Sequence, residues 1–469
     1  MQRLPLLAFA MALAYAPAIG AQTRSDQSSL KVNTAISGPT LTFDWPALQI
    51  GVGTYEEGPT GLTIFRFANK GTAVVDVRGG APGTVNTDAL RLGYDDADLD
   101  AIVFAGGSAY GEEAITAVQT GLKDAGESSG RWGNIGFAAG AIIYDFGGHR
   151  LNEIYPDKRL AQAALRQLRP GVFPLGAQGA GRMPMQGSFF GCGAHSGQGG
   201  AFRQVGNIKI AAFTVVNAVG AVVDRSGKLV KCHRNAAWRS DEGVSELLAR
   251  VGTGTLLSEN TAPAGNLADA GRAGGPTKAT TISLVVTNRK MTSSELQRLA
   301  VQVQTGMGRA IQPYATASDG DTLYAVSTQE VDVPQETLSN LQLNTMAGEL
   351  MWDAVLASVP PEPPAAPTPD NVAVSADRLR RLVGSYDFGA QSPINITFEN
   401  GSLGIGSDKV RFFDIPQGAT ARLVAASNSE FYVAGRYGTR ISFTTNKSGK
   451  VTGAIINPGP WQQHGVRLK

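Results

Sequence analysis

The chain holds four imidazoles, His149, His195, His233 and His464, and none stands in a metal-ligand spacing such as H-E-x-x-H. Zinc-dependent chemistry is therefore not expected, and no metal or cofactor is read from the sequence. Ser108, the glycine-rich serine of GGSAYG, reads as a small residue in a strand-to-helix bend rather than a nucleophile on an elbow. His195, beside Ser196 in CGAHSGQGG, is either a polar partner or a structural histidine in a glycine-rich loop. One route to a nucleophile needs no histidine. An α-amino group has a pKa of about 7.7 to 8.0, so at neutral pH an appreciable fraction is neutral and can take the proton of an adjacent hydroxyl. A Thr or Ser that becomes a new N-terminus carries its own base. Such a residue must follow a flexible approach segment and open a buried strand. DAGRAGGPTKA running into TTISLVVTN, with Thr280 leading the second run, has that form. The plainer reading is a glycine-rich loop entering a strand that favours threonine anyway.

The elements that would position Thr280 are legible as apolar runs. LTIFRF and TAVVDV flank Asn69-Lys70-Gly71 as a hairpin would. AIVFAGG enters GSAYGEEAITAVQTGL as a strand passing into a helix. GAIIYDFGG, KIAAFTVVNAVGAVVD and TTISLVVTN are strands apolar on both faces or nearly so, which belong inside a layered structure. Thr292-Ser293-Ser294-Glu295 has the capping-box spacing, and Leu296, Leu299, Ala300, Val303, Met307 and Ile311 follow at helical intervals. A second helix is expected over LQLNTMAGELMWDAVLASV. Sheets covered by helices, an α/β layered main domain, is the architecture this order implies.

Residues 359–371, with PPEPPAAPTPD, read as a semi-rigid proline linker. Beyond it, 372–469 carry short strands divided by Asn-Gly, Gly and Ser-Gly turns, as in a small antiparallel β-barrel or sandwich. The segment resembles the lipocalin-like β modules that follow hydrolase domains in exported bacterial enzymes. It contains no catalytic cluster, so a scaffolding or substrate-presenting role is expected.

At the other end, residues 1–21 set Arg3 before an apolar run from Leu4 to Ala18 and small residues near Gly20, the pattern of a signal peptide. A periplasmic or secreted protein follows, with no membrane association after signal removal. Export makes a disulfide between Cys192 and Cys232 chemically feasible; two buried thiols are the alternative. Forty-one Lys plus Arg against 39 Asp plus Glu, with no long run of one sign, argue against a nucleic-acid partner.

Around Thr280 the chain resembles the DmpA and β-peptidyl aminopeptidase family (L-aminopeptidase/D-esterase type), most closely its nylon-oligomer hydrolase branch. The likeness rests on YEEGPTG (55–61), AGGSAYG (105–111), IIYDF (142–146), VVNAVG (215–220), TTISLVVTN, SDGDTLYAVST and MWDAVL, in that order, and spans about 35–358. It implies an αββα fold shared with ornithine acetyltransferases, placed here in residues 22–358. It also implies self-cleavage between Ala279 and Thr280, an acyl-enzyme on Thr280, and a homo-oligomer of cleaved heterodimers acting on a small peptide or amide substrate.

Residue by residue, the resemblance assigns Asn217 to the oxyanion, where the plain alternative is an asparagine closing a turn. It sets Asp319 and Asp321 at the nucleophile's amine or the incoming amino group, against turn carboxylates bound only to their own backbone. Tyr144 matches a tyrosine facing the substrate amine or the oxyanion, against a buried strand tyrosine. Two positions depart from the pattern. Ser188 stands about where relatives carry a lysine near the nucleophile, leaving Arg182, His195 or Ser188 itself with a water to replace it. Ala279 precedes the cut in place of the Asn or Gly often found. The readings to be separated are thus a self-processing aminopeptidase or amidase, an acyltransferase of the ornithine acetyltransferase type, and a non-catalytic exported binding protein.

Overall fold

The computed structural model describes residues 27–91, 98–128, 134–146, 148–190, 194–231, 243–251, 279–332, 338–361, 372–389, 392–410, 412–413, 415–434 and 436–469. The signal-peptide reading, the pairing of Cys192 with Cys232 and most of the proline linker fall outside them. Lys31–Lys469 form one unit.

Its main element is an 11-stranded mixed sheet. The principal strands are β1 (Leu48–Tyr55), β2 (Thr60–Val77), β3 (Asp98–Ala105), β4 (Ala138–Ile142), β5 (Gln198–Val205), β6 (Ile208–Val215), β7 (Ile282–Arg289) and β8 (Thr322–Val331). Along the sheet they run β5-β6-β7-β8-β2-β3-β4, with β1 also on β2. Neighbours are antiparallel except β7 with β8 and β3 with β4.

The expected hairpin about Asn69-Lys70-Gly71 is corrected: LTIFRF and TAVVDV are one strand, β2, with a register shift between Arg66 and Gly71 and Lys70 at φ 58°. A hairpin needs its two runs to pair with each other. Here Thr60–Phe67 pair with β1 and Thr72–Val77 with β8, so the glycine serves a bulge that bends the strand instead of reversing it.

Two cores fill the region. Phe65 of β2, Phe104 of β3, Phe173 and Phe213 of β6 form one, with the Phe65 and Phe213 rings 4.9 Å apart although three strand pairings separate β2 from β6. Each such ring contributes about 1.5–3 kcal/mol on leaving water. The other core joins Ile210 and Ala212 of β6, Val285 of β7 and Leu323 of β8 to two helices, α3 (Ser293–Met307) and α4 (Asn340–Ala357). Helix α3 starts at the capping box read in the sequence, with Thr292 Oγ1 and the Glu295 carboxylate each accepting the other residue's backbone N–H, and it buries Leu296, Leu299, Ala300, Val303 and Met307. Two further helices, α1 (Glu112–Asp124) and α2 (Lys158–Leu165), pack on β3 and β4 and on β1.

The C-terminal segment is a closed eight-stranded barrel running from Gly384–Asp387 to Gln463–Arg467 in sequence order, sealed by Tyr386 pairing with Arg467. Of the two forms expected, closure selects the barrel and removes free strand edges. Among the described residues no helix is long and apolar enough to cross a membrane.

Candidate active site

Topology brings the chemistry to one end of the sheet. Val215, the last residue of β6, pairs antiparallel with Ile282, the first of β7, and Ile282 pairs in parallel with Thr322, the first of β8. Val77, at the end of β2, pairs with Thr322 as well. Residues just outside these positions must therefore meet: Asn217 after β6, Ala279 and Thr280 before β7, Asp319 to Asp321 before β8, and Arg78 to Gly83 after β2.

The Ala279–Thr280 junction is buried, with Thr280 2% exposed, and is fixed on every side. The Thr280 N–H donates to the Asn217 carbonyl (2.5 Å) and the Ala279 N–H to the Ser318 carbonyl (3.1 Å). The Ala279 carbonyl oxygen accepts two donors, the Thr280 hydroxyl at 2.6 Å and the Gly320 N–H at 2.8 Å. A hydroxyl and an N–H thus converge on the carbonyl of the bond that would be cut.

The aspartates do more than close their own turn. Asp319 accepts from Thr316 within the turn (Oγ1, 2.6 Å), and its other oxygen takes the Val219 N–H (3.0 Å) from the loop after β6. Asp321 accepts the Thr281 N–H (2.7 Å) and the Ala315 N–H (2.9 Å). Burial raises both carboxyls above the ordinary aspartate range, and the charge of Asp319 adds to burial in taking Asp321 to about 7.

Because the Asp321 pKa is higher folded than unfolded, the folded chain binds the extra proton between about pH 4 and 7. The associated stability is complete below the unfolded value and is lost as pH rises through 7. Unfolding free energies from urea titrations of a Thr280→Ala chain should therefore fall between pH 5 and 8, by on the order of 2–3 kcal/mol from this group. Adding Asp321→Asn should flatten that slope, leaving the smaller part that Asp319 contributes in the same sense. An unchanged slope would remove Asp321 as its source.

Asn217 is held by both side-chain atoms: Oδ1 accepts the Met185 N–H (3.0 Å) and Nδ2 donates to the Tyr144 carbonyl (2.8 Å). Tyr144 lies beyond the end of β4 and is 36% exposed, so it is not a buried strand tyrosine. Ser188 is exposed and donates to the Val219 carbonyl (3.4 Å), placing it on the loop whose N–H binds Asp319. The other two candidates for the missing lysine are engaged elsewhere. Arg182 is paired with Glu56 (2.9 Å) and donates to the Gln462 carbonyl, and His195 is stacked on Trp461. Ser108 occupies a strand-to-helix bend at φ 53°, as read.

Sequence reasoning missed the Gly79-Gly80 pair. A Cβ on Gly79 would lie 2.2 Å from the Asp321 nitrogen and one on Gly80 2.6 Å from the Ala317 carbonyl oxygen, so only glycine lets this segment close over the aspartate turn. The doubled glycine of RGGAPG was the available signal.

Residues 42–360 match the sequence model of peptidase family S58. The chain belongs to peptidase family S58. Membership in S58 sets it among peptidases and amide hydrolases. A 6-aminohexanoate-oligomer endohydrolase of Paenarthrobacter ureafaciens is 38% identical over 67% of this chain and 85% of its own length. An uncharacterized aminopeptidase of Mycobacterium tuberculosis is 30% identical over 66% and 88%. Among solved structures, a Burkholderia sp. beta-aminopeptidase aligns over 69% of this chain and 89% of its own, at 15% identity and a TM-score of 0.47. The S58 match ends before the barrel.

Proposed function

We propose that this S58 chain is the precursor of a self-processing amide hydrolase whose nucleophile is Thr280. The reading rests on the Ala279 carbonyl, which meets the Thr280 hydroxyl and the Gly320 N–H in a buried junction. Attack of Oγ1 on that carbonyl carbon forms a tetrahedral adduct whose oxyanion the Gly320 N–H is placed to stabilise. Loss of the Thr280 nitrogen, which takes up a proton, leaves an ester between Ala279 and Oγ1. Water then cleaves the ester, giving an Ala279 carboxylate and a free Thr280 amine.

In the mature enzyme the neutral amine accepts the Oγ1 proton as Oγ1 attacks a substrate amide. The acyl group is transferred to Oγ1, the amine product departs, and water releases the acid. The Asn217 carbonyl, already bonded to the Thr280 nitrogen, holds the liberated amine, and the Asp319 and Asp321 carboxylates bias its charge. For Asn217 Nδ2 to serve a substrate oxyanion, it must turn from the Tyr144 carbonyl. Tyr144 and Ser188, both exposed, are assigned to contact substrate. The two cores around the mixed sheet are read as an αββα arrangement.

The substrates are short peptides or linear amide oligomers, a class supported by the 6-aminohexanoate-oligomer endohydrolase among the relatives. Acid quenching during turnover of a 6-aminohexanoate oligomer, followed by intact mass measurement, should show an acyl adduct confined to the chain that begins at Thr280. Turnover with an adduct on the other chain would assign the nucleophile elsewhere.

A further inference from the structure

The C-terminal barrel lies beyond the family match, yet the loop between its last two strands reaches into the segment that braces Asn217. Trp461, 1% exposed, donates its indole N–H to the Ser196 carbonyl (2.8 Å) and stacks on the His195 ring with centroids 5.3 Å apart. Asn457 Nδ2 is 3.0 Å from His195 Nε2, and its Oδ1 is fixed by the Arg440 N–H (3.1 Å), so the amide cannot turn without losing a bond. His195 pairs with Met185 across a short antiparallel ladder, and the Ser196 N–H donates to the Pro184 carbonyl (3.0 Å). The Ser196 hydroxyl donates to the Val216 carbonyl, one residue before Asn217.

Met185 completes the connection. Its N–H holds Asn217 Oδ1 and its carbonyl takes the Ala218 N–H (3.1 Å), while the Asn217 carbonyl receives the Thr280 N–H. From Trp461 to Thr280 the path is a series of hydrogen bonds joined through the backbone of Ser196, Pro184-Met185 and Asn217. Arg182 and Arg150 also bond to the barrel: Arg182 reaches the Gln462 carbonyl (3.1 Å), and Arg150 reaches the Phe388 carbonyl (3.0 Å) and Gln463 Oε1 (3.3 Å).

We propose that the barrel is a built-in positioning element of the active site: Trp461 and Asn457 clamp His195 and Ser196 against Pro184 and Met185 so that the Met185 N–H sets Asn217 beside Thr280. Its catalytic consequence rests on the assignment of Thr280 as nucleophile. Trp461 and Asn457 touch no reacting atom and act through Met185 and Asn217. Small losses of alignment are costly, since an ångström of misplacement can remove about a hundredfold in rate.

The test uses the full-length protein with Trp461→Phe, which keeps a stacking ring but removes the N–H donor together with part of the indole's volume, and Asn457→Ala. Two quantities are read in each: hydrogen exchange at the Met185 and Ala218 amides, and the separate kcat and KM for a short amide oligomer. The proposal expects faster exchange at both amides with the barrel's own exchange unchanged. It also expects slower self-cleavage and kcat lower by roughly ten- to a hundredfold with KM nearly constant, the tryptophan variant being the milder. Unchanged exchange at Met185, or faster exchange with unchanged kcat, overturns it. A wild type that exchanges as expected but cleaves neither itself nor any amide sinks the Thr280 reading and the catalytic consequence with it, while a clamp seen by exchange would stand.

Discussion

Thr280→Ala should leave the chain whole and without amidase activity. In the proposed mechanism the side chain serves twice, first against the Ala279 carbonyl, to which its hydroxyl donates, and then against substrate, and alanine supplies a nucleophile for neither step. Loss of kcat by at least about 10⁴-fold is expected, the scale on which removal of a covalent nucleophile is felt. The fold should persist, because the junction is held mainly by backbone bonds to Asn217, Ser318 and Gly320 that alanine keeps. Thr280→Ser, which retains the hydroxyl, should still process and turn over, more slowly for want of the methyl that fixes the rotamer of Oγ1. Denaturing electrophoresis beside an amide-release assay reads both results. A Thr280→Ala protein that still separates into two fragments would put the nucleophile elsewhere.

Gly320→Ala is expected to have the next largest effect, and for a steric reason. A Cβ built there lies 2.6 Å from Thr280 Oγ1 and 2.7 Å from the Ala81 carbonyl oxygen, closer than real contacts allow. The Gly320 N–H is also the second donor on the Ala279 carbonyl, so displacement of this turn moves the Thr280 hydroxyl and that donor together, the proposed nucleophile and oxyanion donor. Self-cleavage should slow by on the order of 10²-fold or more. Gly348→Ala provides the control: it lies within α4, a Cβ there meets nothing within 4 Å, and the change should stabilise by about 0.5–1 kcal/mol without altering processing. Time courses of fragment appearance separate the two, and equal rates in Gly320→Ala and wild type would mean that this turn does not touch the reaction path.

What could be read before the structure was whatever a local pattern encodes. The apolar runs of β6 and β7 and the capping box at Thr292 specify their elements without help from the rest of the chain. Asn69-Lys70-Gly71 misled because a turn and a bulge use the same residues, and the choice between them belongs to the partner strands, β1 and β8, which the local pattern does not name. In the candidate site, Thr280 was singled out by its junction together with the resemblance, and Asn217, Asp319 and Asp321 by the resemblance. The donors at Gly320, Met185 and Val219 were not, since every non-proline residue carries an N–H and only tertiary placement aims it. Arg182 and His195 likewise looked available for the position of the missing lysine. Their partners Glu56 and Trp461, 126 and 266 residues distant, could be seen only in the fold.

Determination of the N-termini of the purified protein tests the central claim most directly. Two are expected, one of them reading Thr280-Thr281-Ile282-Ser283. An active protein whose only N-terminus lies far upstream of Thr280 would contradict a mechanism in which the freed amine is the base.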